Sequence, residues 1–137
     1  MRYWIILFTP ATYESVKQLH TLGVRSNVWK SFSENMSKGD RFIGYISKVM
    51  LFDSLGTISS DATFEEKVVF PGDNLFPCRR KFKFEKVGLA KPSSDLFNGV
   101  SPFNELTTGP GNYLMIKGGF VEISEQDFSW LSKEISS

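Results

Sequence analysis

The residue types best suited to holding a ligand lie in one stretch, Gly23-Val24-Arg25-Ser26-Asn27-Val28-Trp29-Lys30. A turn, Lys38-Gly39-Asp40, then launches the apolar run Phe42-Ile43-Gly44-Tyr45-Ile46. A polar, basic segment with an indole set in it suits a flat, partly charged ligand such as a nucleobase. The Asn27 amide carries both a donor and an acceptor for the edge of such a ring, and the Ser26 hydroxyl can serve in the same way. Trp29 and Phe70 offer ring faces for stacking, and Trp4, Thr9 and Tyr45 complete the set of candidate pocket residues. Arg25, Lys30, Arg79, Arg80 and Lys81 are the cations able to meet phosphates. Each has a structural use as well. Ser26 and Asn27 are good helix caps, Trp4 sits in an apolar run, and Arg79-Arg80-Lys81 also reads as a solvated strand face.

Catalytic constellations are sparse. His20 is the only histidine and stands beside an expected helix end, with no nucleophile motif around it. One histidine and one cysteine make a poor zinc site. Cys78 reads as a packed thiol, although Arg79 and Arg80 beside it would favour the thiolate. No glycine-rich phosphate loop follows a strand, and the proline of Gly109-Pro110-Gly111 removes an N–H that a phosphate cradle would use. The carboxylates are scattered. The residues therefore argue for a binding module with no metal and no cofactor.

The elements that must position these residues read as follows. Arg2–Phe8 is rich in β-branched and aromatic residues and nearly continuous in apolarity, so it is a strand covered on both faces, stopped by Pro10. Thr12–Leu19 is a short helix with Thr12 as N-cap, and Gly23 ends that region. Ser26–Met36 is a second short helix with Val28, Phe32 and Met36 on one face. Arg41–Ser47 and Leu51–Ser59 are strands, and Phe64–Phe70 is extended. Pro71-Gly72-Asp73-Asn74 is a turn. In Arg79–Val87 the alternation of Phe82 and Phe84 with Lys81, Lys83 and Glu85 predicts a half-exposed strand with one basic face. Lys91–Val100 is irregular or a helical turn, Leu106–Asn112 is a loop, Tyr113–Ile116 is a short strand, and Ser124 opens a last helix that buries Phe128 and Leu131.

At 137 residues the chain reads as a single domain, 1–137. Aromatics are 15% of it, with 13 Phe; many must be core, since rings bury large areas, and a few can be left for stacking on a ligand. The net charge of +1 excludes an overall basic field, and any nucleic-acid site must be a local patch. A single cysteine forbids an intrachain disulfide and fits a cytoplasmic setting. The apolar start is too short for a membrane span and lacks a signal-peptide pattern. Short strands separated by turns, with helices between, point to an α+β fold with a curved or closed sheet.

Several motifs in order resemble the EVE domains, members of the PUA-like superfamily related to the YTH readers. Arg2-Tyr3-Trp4-Ile5 is similar to the opening strand of that family, and Gly23-Val24-Arg25 to its Gly-Val-Arg element. Lys38-Gly39-Asp40 resembles its Lys-x-Gly-Asp turn, with Tyr45 and Ser47 in the strand that follows. Phe76-Pro77-Cys78-Arg79 is similar to its Tyr-Pro-x-Arg segment, Gly111-Asn112-Tyr113-Leu114 to its Gly-Gly-Tyr-Leu, and Ile123–Phe128 to its terminal Ile-Ser-Glu-Glu-Asp-Phe. The archaeal-type branch is the nearest in pattern. Thr21 and Leu22 stand where the family places a Trp before Gly-Val, and Leu7-Phe8-Thr9 where bacterial members carry Lys-Ser-Glu. Phe70-Pro71 takes the place of a Trp-Pro.

The resemblance implies a small PUA-like β-barrel, curved or closed, with short helices at its rim. It implies a non-catalytic pocket for a flipped, modified base, such as N6-methyladenine or 5-methylcytosine, in DNA or RNA. A restriction or RNA-modification protein is then a further partner, and the chain is alternatively the DNA-recognition domain of a McrB-type modification-dependent restriction protein. A PUA-like binder of another small planar ligand is the remaining alternative, with a minor hydrolase-like activity behind it.

Overall fold

Tyr3–Phe8 (β1) is unbroken in apolarity because the sheet it joins is covered on both sides. In the computed structural model, which describes residues 1–72, 75–106 and 109–137, Trp4, Ile6 and Phe8 point into one hydrophobic cluster. Ile5 points into a second, with Tyr3 and Leu7 packed against it. Pro10–Leu19 (α1) follows at once. Its N-cap is Thr9, whose hydroxyl accepts the Thr12 N–H at 3.3 Å, and Pro10 occupies the first turn. The sequence placed this cap at Thr12. Proline both stops the strand and starts the helix, since its fixed φ suits the first helical position. His20 closes α1 in the left-handed region at φ 50°.

Thr21–Val24 (β2) contains Gly23, which the sequence took as a terminator. A 3₁₀ turn, Ser26–Val28, leads into Trp29–Glu34 (α2). The helix expected over Ser26–Met36 is thus split and ends at Glu34, but Phe32 and, beyond the helix, Met36 are buried in the same cluster. Arg41–Ile46 (β3) and Leu51–Ile58 (β4) form a hairpin. Thr63–Phe64 (β5) is all that is strand within the run expected to be extended to Phe70. Cys78–Lys86 (β6) and Lys91–Pro92 (β7) come next, then two 3₁₀ turns, Leu96–Gly99 and Phe103–Glu105. Pro110–Ile116 (α3), Phe120–Ile123 (β8) and Glu125–Ser136 (α4) complete the chain. Ser124 caps α4 by accepting the Asp127 N–H, and Phe128 and Leu131 are buried, as expected. The strand expected over Tyr113–Ile116 is instead part of α3, and β8 was not foreseen. Asp73–Asn74 of the expected turn and Thr107–Thr108 of the expected loop lie outside the described residues.

The described strands form one sheet in the order β2-β6-β4-β3-β1-β8, with β5 beside β6 and β7 beside β4. β1 and β3 are parallel and the other pairs antiparallel. A bulge puts an extra residue, Asp53, into β4 opposite the Gly44–Tyr45 step. Asp53 accepts from the Tyr13 hydroxyl at 2.8 Å and from the Ala90 N–H at 3.0 Å, which ties α1 to the segment before β7. Burial pushes the Tyr13 phenol up in pKa.

In β6, Lys81 and Lys83 are exposed as expected, but Arg79 and Arg80 are each only 3% exposed. The basic face is therefore shorter than the alternation suggested. Arg80 lies beneath α2, and its guanidinium donates to the carbonyls of Phe32 (2.9 Å), Ser33 (3.3 Å), Met36 (2.6 Å) and Ser60 (3.0 Å). These include the open C-terminal end of α2, where carbonyls lack intrahelical donors. Arg79 donates to the carbonyls of Phe76 and Lys67 and so fastens the long segment before β6. Among the described residues no helix is long and apolar enough to cross a membrane.

Candidate ligand cleft

The sheet curls, and its two ends come near each other without pairing. The end of β1 and the edge of β2 line one cleft of about 200 Å³ although they stand far apart in the strand order. Leu7, Phe8, Thr9 and Thr12 line it from β1 and α1. Gly23, Val24, Arg25, Asn27 and Val28 form one wall, with Phe76 beside them. Met115, Ile116, Gly118 and Gly119 form the other.

The β2 wall has an unusual property for a sheet. The Phe82 N–H bonds the His20 carbonyl, which fixes the pairing phase of β2 and β6. With the register Leu22↔Arg80 and Gly23↔Arg79, the Leu22 peptide groups face β6 and those of Gly23 face away from it. Gly23 therefore presents a backbone donor and acceptor on the cleft side. It must be glycine: a Cβ there would fall 2.7 Å from Phe70 Cε2 and 2.9 Å from Phe76 Cβ. Gly118 is equally constrained, at φ 92° with a would-be Cβ 2.5 Å from Val28 Cγ1. The Gly118–Val28 approach joins the two walls and sets how near they come.

Its chemistry is apolar with polar edges. Leu7, Val28, Phe76, Met115 and Ile116 supply apolar surface, while Thr9, Thr12, Asn27 and the Gly23 peptide supply donors and acceptors. Arg25 is exposed, with its guanidinium 5.8 Å from the Phe76 ring. The lining residues include no carboxylate, histidine or cysteine. Cys78 is fully buried behind this wall, donates weakly to the Arg25 carbonyl at 3.5 Å, and is pushed up in pKa by that burial.

Of the residues expected at the pocket, Thr9 and Asn27 line the cleft, and so does Arg25 from the cation set. Ser26 is exposed between two lining residues, and Lys30 is exposed in the first turn of α2. Phe70 is buried behind Gly23, beside Phe76 and under the Arg79 guanidinium. Trp29 sets its ring edge-on to Phe64 at 5.8 Å and is not part of the lining. Trp4 is 4% exposed, and its Nε1 donates to Asp40 Oδ2 at 3.0 Å. Tyr45 is buried against Phe52 and Phe97 on the opposite face of the sheet. Lys81 lines a separate depression of about 290 Å³, together with Glu65, Arg79 and Arg80. A third depression, about 350 Å³ beside Met1 and Lys38, mixes Arg2 with Glu34 and Asp40. Both mix opposite charges, unlike the cleft between β1 and β2.

No family model matches the sequence, and no curated protein matches it. The fold does have solved relatives. The YTH domain of Mmi1 superposes with a TM-score of 0.72 at 17% identity, over 99% of this chain and 96% of that one. The Pho92 YTH domain, solved in complex with m6A, gives 0.72 at 13% identity, over 99% and 86%. A protein from Pseudomonas syringae gives 0.63 at 17% identity, over 97% and 99%. At these identities the likeness defines the fold: the chain is an α+β protein of the YTH-like, PUA-like type, a curled half-barrel with short helices.

Proposed function

We propose that the protein is a non-catalytic nucleic-acid-binding domain, one unit over residues 1–137, that takes a modified nucleobase into the cleft between β1 and β2. The observation that carries this reading is the open seam of the half-barrel, where a free peptide edge at Gly23 meets Thr9, Asn27 and an apolar wall. A base leaves its stack at a cost of a few kcal/mol. Contact with a ring face returns ~1–3 kcal/mol, and Phe8 and Phe76 are the aromatic residues of the lining. Each buried polar edge left without a partner costs ~1–3 kcal/mol, so the Asn27 amide and the Gly23 peptide would discriminate between bases. A methyl group needs a small apolar wall, which Leu7, Val28 and Met115 supply.

Solved YTH domains with this fold include complexes with RNA and with m6A, which supports a base as the ligand. Membership of the EVE family, in its archaeal-type branch, belongs to the same reading and rests on the ordered motifs from Arg2 to Phe128. A restriction or RNA-modification protein is the partner that reading entails.

The test is binding of the chain to short DNA and RNA oligonucleotides that carry N6-methyladenine, 5-methylcytosine or no modification, single- and double-stranded, at two salt concentrations. The reading expects a preference for one modification that survives higher salt. Equal affinity for modified and unmodified strands refutes it. A small planar ligand is the second reading, favoured by the net charge of +1. Binding of a free nucleoside or metabolite with no affinity for any strand would establish it instead.

A further inference from the structure

We propose that Met115 and Ile116 form an apolar lip that packs against the nucleotide next to the one seated in the cleft. The site would then take its base from a strand and not as a free nucleoside. This rests on the nucleobase reading above and deepens it.

Ile116 is 80% exposed and Met115 66%, more than any other large apolar side chain described except the terminal Met1. Two adjacent apolar residues left in water at the mouth of a cleft mark a contact surface. The lip is held in place. Leu114, just before it, is fully buried, and Tyr113 packs edge-on to Phe103 at 5.4 Å. The Gly119 N–H bonds the Leu114 carbonyl at 2.8 Å, and the Gly118 N–H bonds that of Met115 at 3.1 Å.

Size decides what meets the lip. At about 200 Å³ the cleft falls below the ~300–1,000 Å³ of sites that enclose a drug-sized ligand. It accommodates a base and leaves the ribose and the phosphates outside. A strand continuing from them on the α3 side meets Met115 and Ile116, whose chemistry suits the ribose carbon face or the ring of the next nucleotide. The charges agree. Lys117 is exposed immediately after the lip, Arg25 is exposed on the opposite wall, and no carboxylate is among the residues that line the cleft. A strand crossing the mouth would place its phosphates against these two cations. A free nucleoside lacks the part that would touch the lip.

The experiment compares wild type, Ile116→Ser and Ile116→Leu in the full chain. Affinity is measured for single-stranded RNA and DNA oligonucleotides with one N6-methyladenine or 5-methylcytosine, and for the corresponding free nucleosides. Melting and sedimentation are followed in parallel. Ile116→Ser should weaken the modified strand about five- to tenfold, weaken the nucleoside by much less and melt as wild type does, while Ile116→Leu keeps the strand affinity. An unchanged strand affinity, or an equal loss for strand and nucleoside, overturns the proposal. A change of oligomeric state with strand affinity intact would make the lip a self-association surface and overturn it too. If wild type binds strands without preferring a modification, the nucleobase-reader function fails. The lip then stands or falls on whether Ile116→Ser lowers the ratio of strand to nucleoside affinity. Absence of any nucleic-acid binding by wild type overturns both.

Discussion

Asn27 and Trp29 are two residues apart, and the fold gives them different surroundings. Asn27 is exposed at the wall of the cleft, whereas Trp29 packs against Phe64 outside it. Asn27→Ala should therefore lower affinity for the modified base about tenfold, within the ~1–3 kcal/mol of a lost edge contact, and leave the melting temperature nearly unchanged. Trp29→Ala should do the reverse, with a loss of stability of ~1–2 kcal/mol and little change in affinity. Titration of both variants with one modified oligonucleotide, beside thermal melts, separates the roles. Equal losses of affinity would move the binding surface toward α2. Arg25 and Asn27 were legible as candidates because polar residues in a glycine-marked segment end up at the rim of a fold, and Thr9 because it is the polar residue that closes the first apolar run. Phe76, Met115, Ile116 and Gly118 were not legible as neighbours of that segment. Their place depends on how far the sheet curls, and no local pattern encodes that. Trp4 and Tyr45 misled for the opposite reason: a ring with one polar atom suits a pocket and a core equally well, and only the partner found by the indole of Trp4, the Asp40 carboxylate, reveals the core.

Between elements, two of the charged side chains make links that a substitution can test. Arg80 reaches from β6 to carbonyls at the C-terminal end of α2. Arg80→Ala strands those acceptors in a buried place and should destabilise the protein by ~3 kcal/mol, read as a lower urea midpoint at constant slope. Arg80→Lys should recover part of this, since an ammonium lacks the planar fork that serves several carbonyls at once. A midpoint unchanged by the alanine variant would mean that α2 is held by its apolar face alone.

The second side chain is Glu85, which accepts from Arg41 Nε at 3.0 Å, from the terminal nitrogen at 2.7 Å, and from Thr57 at 3.1 Å, joining β6 to β3 across β4. The Arg41 guanidinium holds its carboxyl below the ordinary value of 4.5. A carboxylate whose folded pKa is depressed contributes stability above its unfolded pKa and loses it as the pH falls through the folded one. With the side chain 35% exposed, solvent screening keeps the contribution under ~1 kcal/mol. Glu85→Gln should accordingly be slightly less stable than wild type at neutral pH, with the gap closing below pH 4.5, in urea unfolding at several pH values. A gap independent of pH would assign the effect to packing.

These links also explain which elements the sequence disclosed. β1, β3, β4, the Lys-rich half of β6 and α4 follow their own periodicity. α3 and β8 do not, because Gly109-Pro110-Gly111 reads as a loop while Pro110 in fact starts a helix, and Gly118 and Gly119 mask the strand behind them.

For the whole molecule, 16 basic and 15 acidic residues nearly cancel, so no long-range field gathers a polyanion, and charges beyond ~10 Å are screened at moderate salt. Burial removes Arg79 and Arg80 from the solvent-facing cations. Of the exposed cations, Arg25 lines the cleft, and Lys30 and Lys117 lie within two residues along the chain of lining residues. A strand that meets only these releases few counterions, and the logarithm of its affinity should fall with the logarithm of salt concentration with a slope of about −2. Modified and unmodified strands should share that slope, because the phosphates are the same and only the base contact differs. The preference for the modification then persists as salt rises, while both affinities fall together. A slope of about −5 or steeper would require a broad basic face that extends past β2 to Lys81 and Lys83 on β6, outside the lining of the cleft, and would contradict recognition through the seam alone. A slope near zero, with the preference kept, would mean that the cleft holds the base without the backbone, and that the three cations serve solubility alone.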